Sequence, residues 1–228
     1  MRQDKPSRMP PTRHAFDLQL RELEQDLLRM GSYVEEMENQ AVRALLSRDA
    51  VLAQKVIDDD DLVDDLDLSI ETRCMRLLAL QQPMAKDLRT IGTVLKAITD
   101  LERVGDYSVE IARIALRLAD HPGPLPRVDL AGMSEAVKSM NRHTLRAFVD
   151  RDLEAVQRIC TEEDDVVDHA YHTMVDELLD LMGRDPKQVV PAAYFILAAR
   201  SLERIADHLT NVAERVHYME TGILVELA

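Results

Sequence analysis

Aromatic side chains are nearly missing from this chain, which has no tryptophan, three phenylalanines and five tyrosines in 228 residues. A core must then be built from aliphatic groups. Glycine is scarce too, at seven residues, while Leu, Ala, Val, Glu, Asp and Arg dominate, a mixture that favours packed helices. The two cysteines, Cys74 and Cys160, lie far apart with no CxxC spacing, which excludes a zinc knuckle or a disulfide framework and leaves reduced, buried thiols. Positive charge is in deficit: 42 acidic against 28 basic side chains give −14, so a phosphate backbone would be repelled and nucleic acid is excluded as a partner. No apolar run approaches the ~20 residues that span a bilayer. The start, "MRQDKPSRMPPTRH", has three prolines and no apolar segment of a secretory signal. The expectation is a cytoplasmic protein with a frayed beginning.

What the chain does contain is helical periodicity, written twice. Apolar residues recur at three and four from Phe16 to about Leu46, from Ala50 to Leu80 and from Asp87 to about Ala119. "HPGPLPRVD" at 121–129 then interrupts with three prolines and a glycine. The pattern restarts at about Leu130 to Val149, turns at "DRD", runs to about Met182, breaks, and ends in a helix from Val189 to about Glu220. The second half is a diverged copy of the first. "RD" at 48–49 recurs at 151–152, and "QKVI" at 54–57 matches "QRIC" at 157–160. "DDDLVD" at 59–64 matches "EDDVVD" at 163–168 only if one residue is inserted, and "LERVGD" at 101–106 returns as "LERIAD" at 202–207. The expectation is an all-α fold of two pseudo-symmetric antiparallel three-helix bundles, six long helices in all, produced by internal duplication. The bundles span 15–120 and 130–222, joined by the linker 121–129, with a disordered tail over 1–14 and a short tail over 223–228.

Carboxylates are the candidate chemistry. Positions i and i+4 of a helix are neighbours, so Glu102 and Asp106 share a face, as do Glu203 and Asp207, Asp60 and Asp64, and Asp164 and Asp168. Asp60 and Asp106 each lie 23 positions from Pro83 at the turn between them, which brings the two pairs abreast in an antiparallel bundle. Four converging carboxylates offer only oxygen donors, as hard cations such as Mg²⁺, Ca²⁺, Mn²⁺ or oxidised iron require. A strongly acidic chain also places acids simply in water; the repeated spacing in both helices and both halves weighs against that. Arg103 and Arg204 pair most simply with the acids beside them. His169, His172 and His208 are within reach of the second quartet. A ferritin-like dimetal centre wants two ExxH motifs, and Glu214 with His217 supplies one. There is no P-loop, no GxGxxG after a strand and no triad to locate, so no enzyme is expected.

The stretches "QQPMAKDLRTIGTVLKAITDLERVGD" (81–106), "ARSLERIADHLTNVAE" (199–214) and "VIDDDDLVDDL" (56–66) resemble the PhoU family of phosphate-specific transport accessory and regulatory proteins, and the likeness runs from about Phe16 to Gly222. The resemblance implies two bundles related by a pseudo-twofold and multinuclear iron or zinc clusters on paired E(D)xxxD motifs. Those motifs map to Asp60, Asp64, Glu102 and Asp106, and to Asp164, Asp168, Glu203 and Asp207. It further implies a cytoplasmic homodimer without turnover that couples the ATPase subunit of the phosphate ABC importer to the sensor histidine kinase PhoR, restraining the starvation response. A dimetal carboxylate protein and a metal-free helical scaffold are the competing expectations. One departure stands out: Asn211 replaces the position held by Glu110 in the first half, so the two sites need not be equal.

Overall fold

The computed structural model describes residues 11–81 and 83–227. Helix α1 (Pro11–Ser47) takes in residues 11–14 of the expected tail, and residues 1–10 lie outside the described part. It is followed by α2 (Ala50–Gln81) and α3 (Ala85–Ala119), then the proline-rich connection, then α4 (Leu130–Asp150). Next come α5 (Leu153–Arg158), a π-helical turn (Ile159–Glu163) and α6 (Asp164–Arg184), which form one uninterrupted rod, and after a 3₁₀ turn (Pro186–Gln188) the chain closes with α7 (Val189–Thr221). Six long rods, three in each half, make an all-α pair of pseudo-symmetric bundles.

The repeated "RD" corners have one physical cause. Arg48 and Arg151 both take the left-handed conformation at φ 57° that ends a helix. The aspartate that follows caps the next helix: Leu52 N–H donates to Asp49 Oδ1 at 2.9 Å, and Glu154 and Ala155 N–H both donate to Asp152 Oδ1 at 3.0 Å. The side chains of the two arginines then diverge. Arg48 donates to the carbonyls of His121 and Gly123 and so ties the linker down, whereas Arg151 lies over the Phe148 ring and pairs with Glu24 on α1.

The π turn sits where the second half carries one residue more than the first. An α-helix advances 3.6 residues per turn, so an extra residue would rotate everything after it by about 100°; a single wider turn absorbs it. Asp164 therefore faces α7 as Asp60 faces α3.

One hydrophobic core runs through both halves. Helix α3 packs on α1, α2 and α7, and α7 packs on α3, α4 and α6, which places the carboxylate motifs of α3 and α7 back to back across the middle. Along this seam copies of the same positions meet. Tyr107 and its counterpart His208 have ring centroids 5.7 Å apart. Ser201 Oγ donates to Glu110 Oε2 at 3.1 Å, and Asn211 Nδ2 approaches Asp100 Oδ1 at 3.5 Å; these are the same two positions exchanged. A second crossing joins α1 to α4. Ser134 Oγ donates to Glu38 Oε1 at 2.6 Å and Asn141 Nδ2 to the Gly31 carbonyl at 3.0 Å, again one pair of positions used twice. A Cβ at Gly31 would press on the Leu145 side chain and turn it aside. Cys74 and Cys160 are free and buried, and burial pushes both thiols up to about 12.

Candidate functional site

In the first half, Asp60 and Asp64 project from α2 towards Glu102 and Asp106 on α3. Val63, Gly105 and Val104 are buried beneath them, so apolar packing between the helices fixes the spacing of the acids. A Cβ at Gly105 would lie 3.6 Å from Asp60 Oδ1, which shows how closely the aspartate rides over the neighbouring helix. Burial raises Asp60 above the usual carboxylate range, helped by the charges of Asp64 and of Asp106 across the helix gap. Glu102 is raised by burial and then by Asp106, with Asp64 and Asp67 on α2 contributing. Arg103 pairs with both acids of its own helix, at 2.6 Å to Asp106 and 3.4 Å to Glu102.

The second half repeats the arrangement with added partners. Burial pushes Asp164 up to about 6, opposed by a hydrogen bond from Thr210 Oγ1 at 3.1 Å, with Asp168 and Asp207 raising it further. Glu203 is raised by burial, then by Asp207, and its Oε2 is buried with no partner. Arg204 pairs with Asp207 at 2.7 Å. Beside this quartet opens a cavity of about 750 Å³, walled on one side by Leu224, Val225 and Glu226. The segment expected as a short tail is anchored there: Leu227 N–H donates to Glu214 Oε1 at 2.6 Å, and His217 Nδ1 lies 3.3 Å from the Ile223 carbonyl.

All eight expected acids thus come together as two quartets of the right helices. Among the described residues no three His, Cys, Asp or Glu side chains are gathered closely enough to hold a metal ion as they stand. Arg103 and Arg204 engage the acids of α3 and α7. The donor chemistry nevertheless fits a hard cation: every group is an oxygen acid, and Glu203 Oε2 is a buried acceptor lacking a donor. The histidines do not join the second quartet in the way their position suggested. His208 turns to Asp100 on α3 at 3.0 Å, and His169 and His172 are exposed. The ExxH residues Glu214 and His217 are both engaged with the C-terminal segment. Thr210 and the C-terminal wall carry no motif, and nothing in their local sequence announces them. Asp67 lies one turn beyond Asp64 in the acidic run; its register against Glu102 emerges only in the bundle.

These features define a class: a duplicated helical scaffold with an acid quartet on each half and its two copies joined back to back. Comparison names the family. The model described as PhoU domain matches residues 27–115 and again 130–216, one match to each half, and the chain belongs to the PhoU family. It is 40% identical over 95% of its length to the phosphate-specific transport system accessory protein PhoU homolog of Clostridium acetobutylicum, covering 99% of that protein. The homolog of Pseudomonas putida is 38% identical over 91% of this chain and 81% of that one. The crystal structure of PhoU from Pseudomonas aeruginosa superposes with a TM-score of 0.86 at 37% identity, over 91% of this chain and 100% of that one. That of the phosphate transport system regulatory protein PhoU from Streptococcus pneumoniae gives 0.86 at 34%, over 92% and 99%. By name these are accessory and regulatory proteins, and the chain stands with them as a regulator and not an enzyme. No helix among the described residues is long and apolar enough to cross a membrane.

Proposed function

We propose that this protein is a regulatory accessory subunit of phosphate-specific transport. It works in the cytoplasm as a homodimer, contacting the ATPase subunit of the phosphate ABC importer and the sensor histidine kinase PhoR, and restrains the phosphate-starvation response when phosphate is plentiful. The observation that carries this reading is the match of the family model to both halves, in a chain that covers nearly the whole of its accessory-protein relatives. The two acid quartets are its metal-binding faces. Asp60, Asp64, Glu102 and Asp106 would hold a cation on the first half, and Asp164, Asp168, Glu203 and Asp207 on the second. Family resemblance favours iron or zinc, and an all-oxygen set also accommodates Mg²⁺, Mn²⁺ or Ca²⁺. A bound cation would supply positive charge that offsets the clustered acids and fixes the relative position of α2 against α3 and of α6 against α7.

Deleting the gene in its host tests the regulatory reading. Starvation genes should stay expressed in high phosphate, and a pull-down from phosphate-replete cells should recover the importer ATPase or PhoR. Normal repression in the deletion strain overturns it. The dimetal-enzyme alternative fares worse here, since Glu214 and His217 are spent on the C-terminal segment.

A further inference from the structure

The seam between α3 and α7 contains a cavity of about 530 Å³ that the acid quartets do not use. Arg113, Arg200 and Arg204 line it, with the hydroxyls of Tyr107 and Ser201 and a single carboxylate, Glu110, which accepts from Ser201. In a chain of net charge −14, three guanidiniums around one opening stand against the general trend. Solvated arginines usually scatter, and the molecule contains its own comparison. The duplication creates a twin of this cleft at the pseudo-equivalent positions, and there Arg113 is replaced by Glu214, Arg200 by Thr99 and Ser201 by Asp100. Each of these three differences makes the first cleft more positive. Against them run Glu110, which is Asn211 in the twin, Ile114, which is Arg215, and Leu197, which is Lys96, so the lining of the first cleft is the more positive by one charge. Arginine forks match the oxygens of phosphate in number and direction, and the cleft is lined by three guanidiniums and one carboxylate.

We propose that this cleft is a binding site for a phosphate dianion, free or as the phosphate group of a small ester. Arg113 and Arg200 are exposed, Arg200 hydrogen-bonding Tyr171, while Arg204 is held by Asp207 and Tyr107 at the cleft's edge. The carboxylates near them, Asp60 by Arg113 and Glu203 by Arg200, are not among the residues that line the cavity, and pairs whose arginine is exposed are weak and exchange with other anions. Ile114 and Leu197 form an apolar side of the cavity, which gives room for the organic part of an ester. The site does not depend on the regulatory reading, because it is a property of the purified chain.

The test is calorimetry and ³¹P NMR on the full-length protein in EDTA, so that no cation on the acid quartets can carry the anion. Inorganic phosphate and phenyl phosphate are titrated at constant ionic strength against a chloride control. Binding of either ligand to the wild type, weakened tenfold or more in R113Q/R200Q, is the expected result. Tighter binding of phenyl phosphate identifies an ester as the source and tighter binding of phosphate the free ion. The substitutions lie on exposed positions, and an unchanged circular dichroism melt without ligand verifies that the fold is intact. No binding of either ligand above chloride overturns the proposal, and so does equal binding by the variant.

Discussion

The two acid quartets share a motif and differ in what surrounds it. In the first half the acids stand on α2 and α3, and position 109, next to the motif, is a valine. In the second half the equivalent Thr210 donates to Asp164, and residues 224–226 wall the adjoining cavity. Burial and mutual repulsion raise carboxyls in both, so both are poised to gain from a cation. The difference teaches that a duplicated motif conserves donors but not their surroundings: the second quartet adjoins a cavity walled by a segment that has no counterpart before the linker.

The largest test separates the halves outright. Glu102→Gln with Asp106→Asn should abolish metal in the first half alone, and Glu203→Gln with Asp207→Asn in the second alone, as elemental analysis of protein purified without chelators will read. Loss of all metal from either variant would show a single shared site. Without metal each variant should melt at or slightly above wild type, by the few tenths of a kcal/mol typical of like-charge neighbours. With metal the order should reverse, because only wild type keeps both ligands of the folded state.

The crossing of α1 and α4 offers the next contrast, since Glu38 and Asn141 are copies of one position. Glu38 is buried, and burial pushes it up to about 8, with the Ser134 hydrogen bond and Lys138 opposing and Glu35 and Glu135 reinforcing. Its folded value lies above the unfolded one, so the folded protein holds a proton that the unfolded chain releases. Stability should therefore be full below about 4.5 and decline as pH rises towards about 8. Glu38→Gln, which imitates the neutral acid, should remove that decline and stabilise the protein at pH 7 by on the order of 1–3 kcal/mol. Melting curves across the pH range check this; a variant with the wild-type profile would show that Glu38 is ionised in the fold.

At the corners the contrast is smaller. Asp152 accepts two backbone N–H groups and Asp49 one, so Asp152→Ala should cost about 1–2 kcal/mol and Asp49→Ala about 1 kcal/mol in urea unfolding. Equal costs would mean that the second acceptor contact is idle. Smallest of all, Arg103→Gln and Arg204→Gln should each change stability by less than about 0.5 kcal/mol, since both pairs lie at the surface, that of Arg204 half-buried.

Much of this was legible in the sequence because it is local or repeated. Helix rods follow from apolar period, corners from "RD", and the acid pairs from i, i+4 spacing. The inserted residue between "QRIC" and "EDDVVD" was visible as a mismatch, and its physical form, the π turn at Ile159–Glu163, needed coordinates. What stayed hidden depends on how the halves meet. His208 looks like a neighbour of Asp207 in sequence, yet its ring crosses to Asp100 because the seam places α3 within reach. Arg113 lies outside the quoted stretches, Arg200 stands in one without an assigned role, and the two become a pair only when α3 and α7 pack. The 223–227 segment reads as a tail because its anchors, Glu214 and His217, lie on the preceding helix and look like ligands.

The exchanged pairs along both crossings, Glu110 with Ser201 and Asp100 with Asn211, Glu38 with Ser134 and Gly31 with Asn141, follow the contact rule of a twofold dimer, in which residue i meets j and j meets i. Such a pattern inside one chain is what remains when two identical subunits become linked end to end. While both subunits were encoded by one gene, every substitution appeared on both sides of the axis, and a positive cleft on one side forced a positive cleft on the other. Linkage lifted that constraint. Arg113 could then stand opposite Glu214, and Glu38 opposite Asn141, so the molecule acquired a front and a back that its symmetric ancestor could not have had.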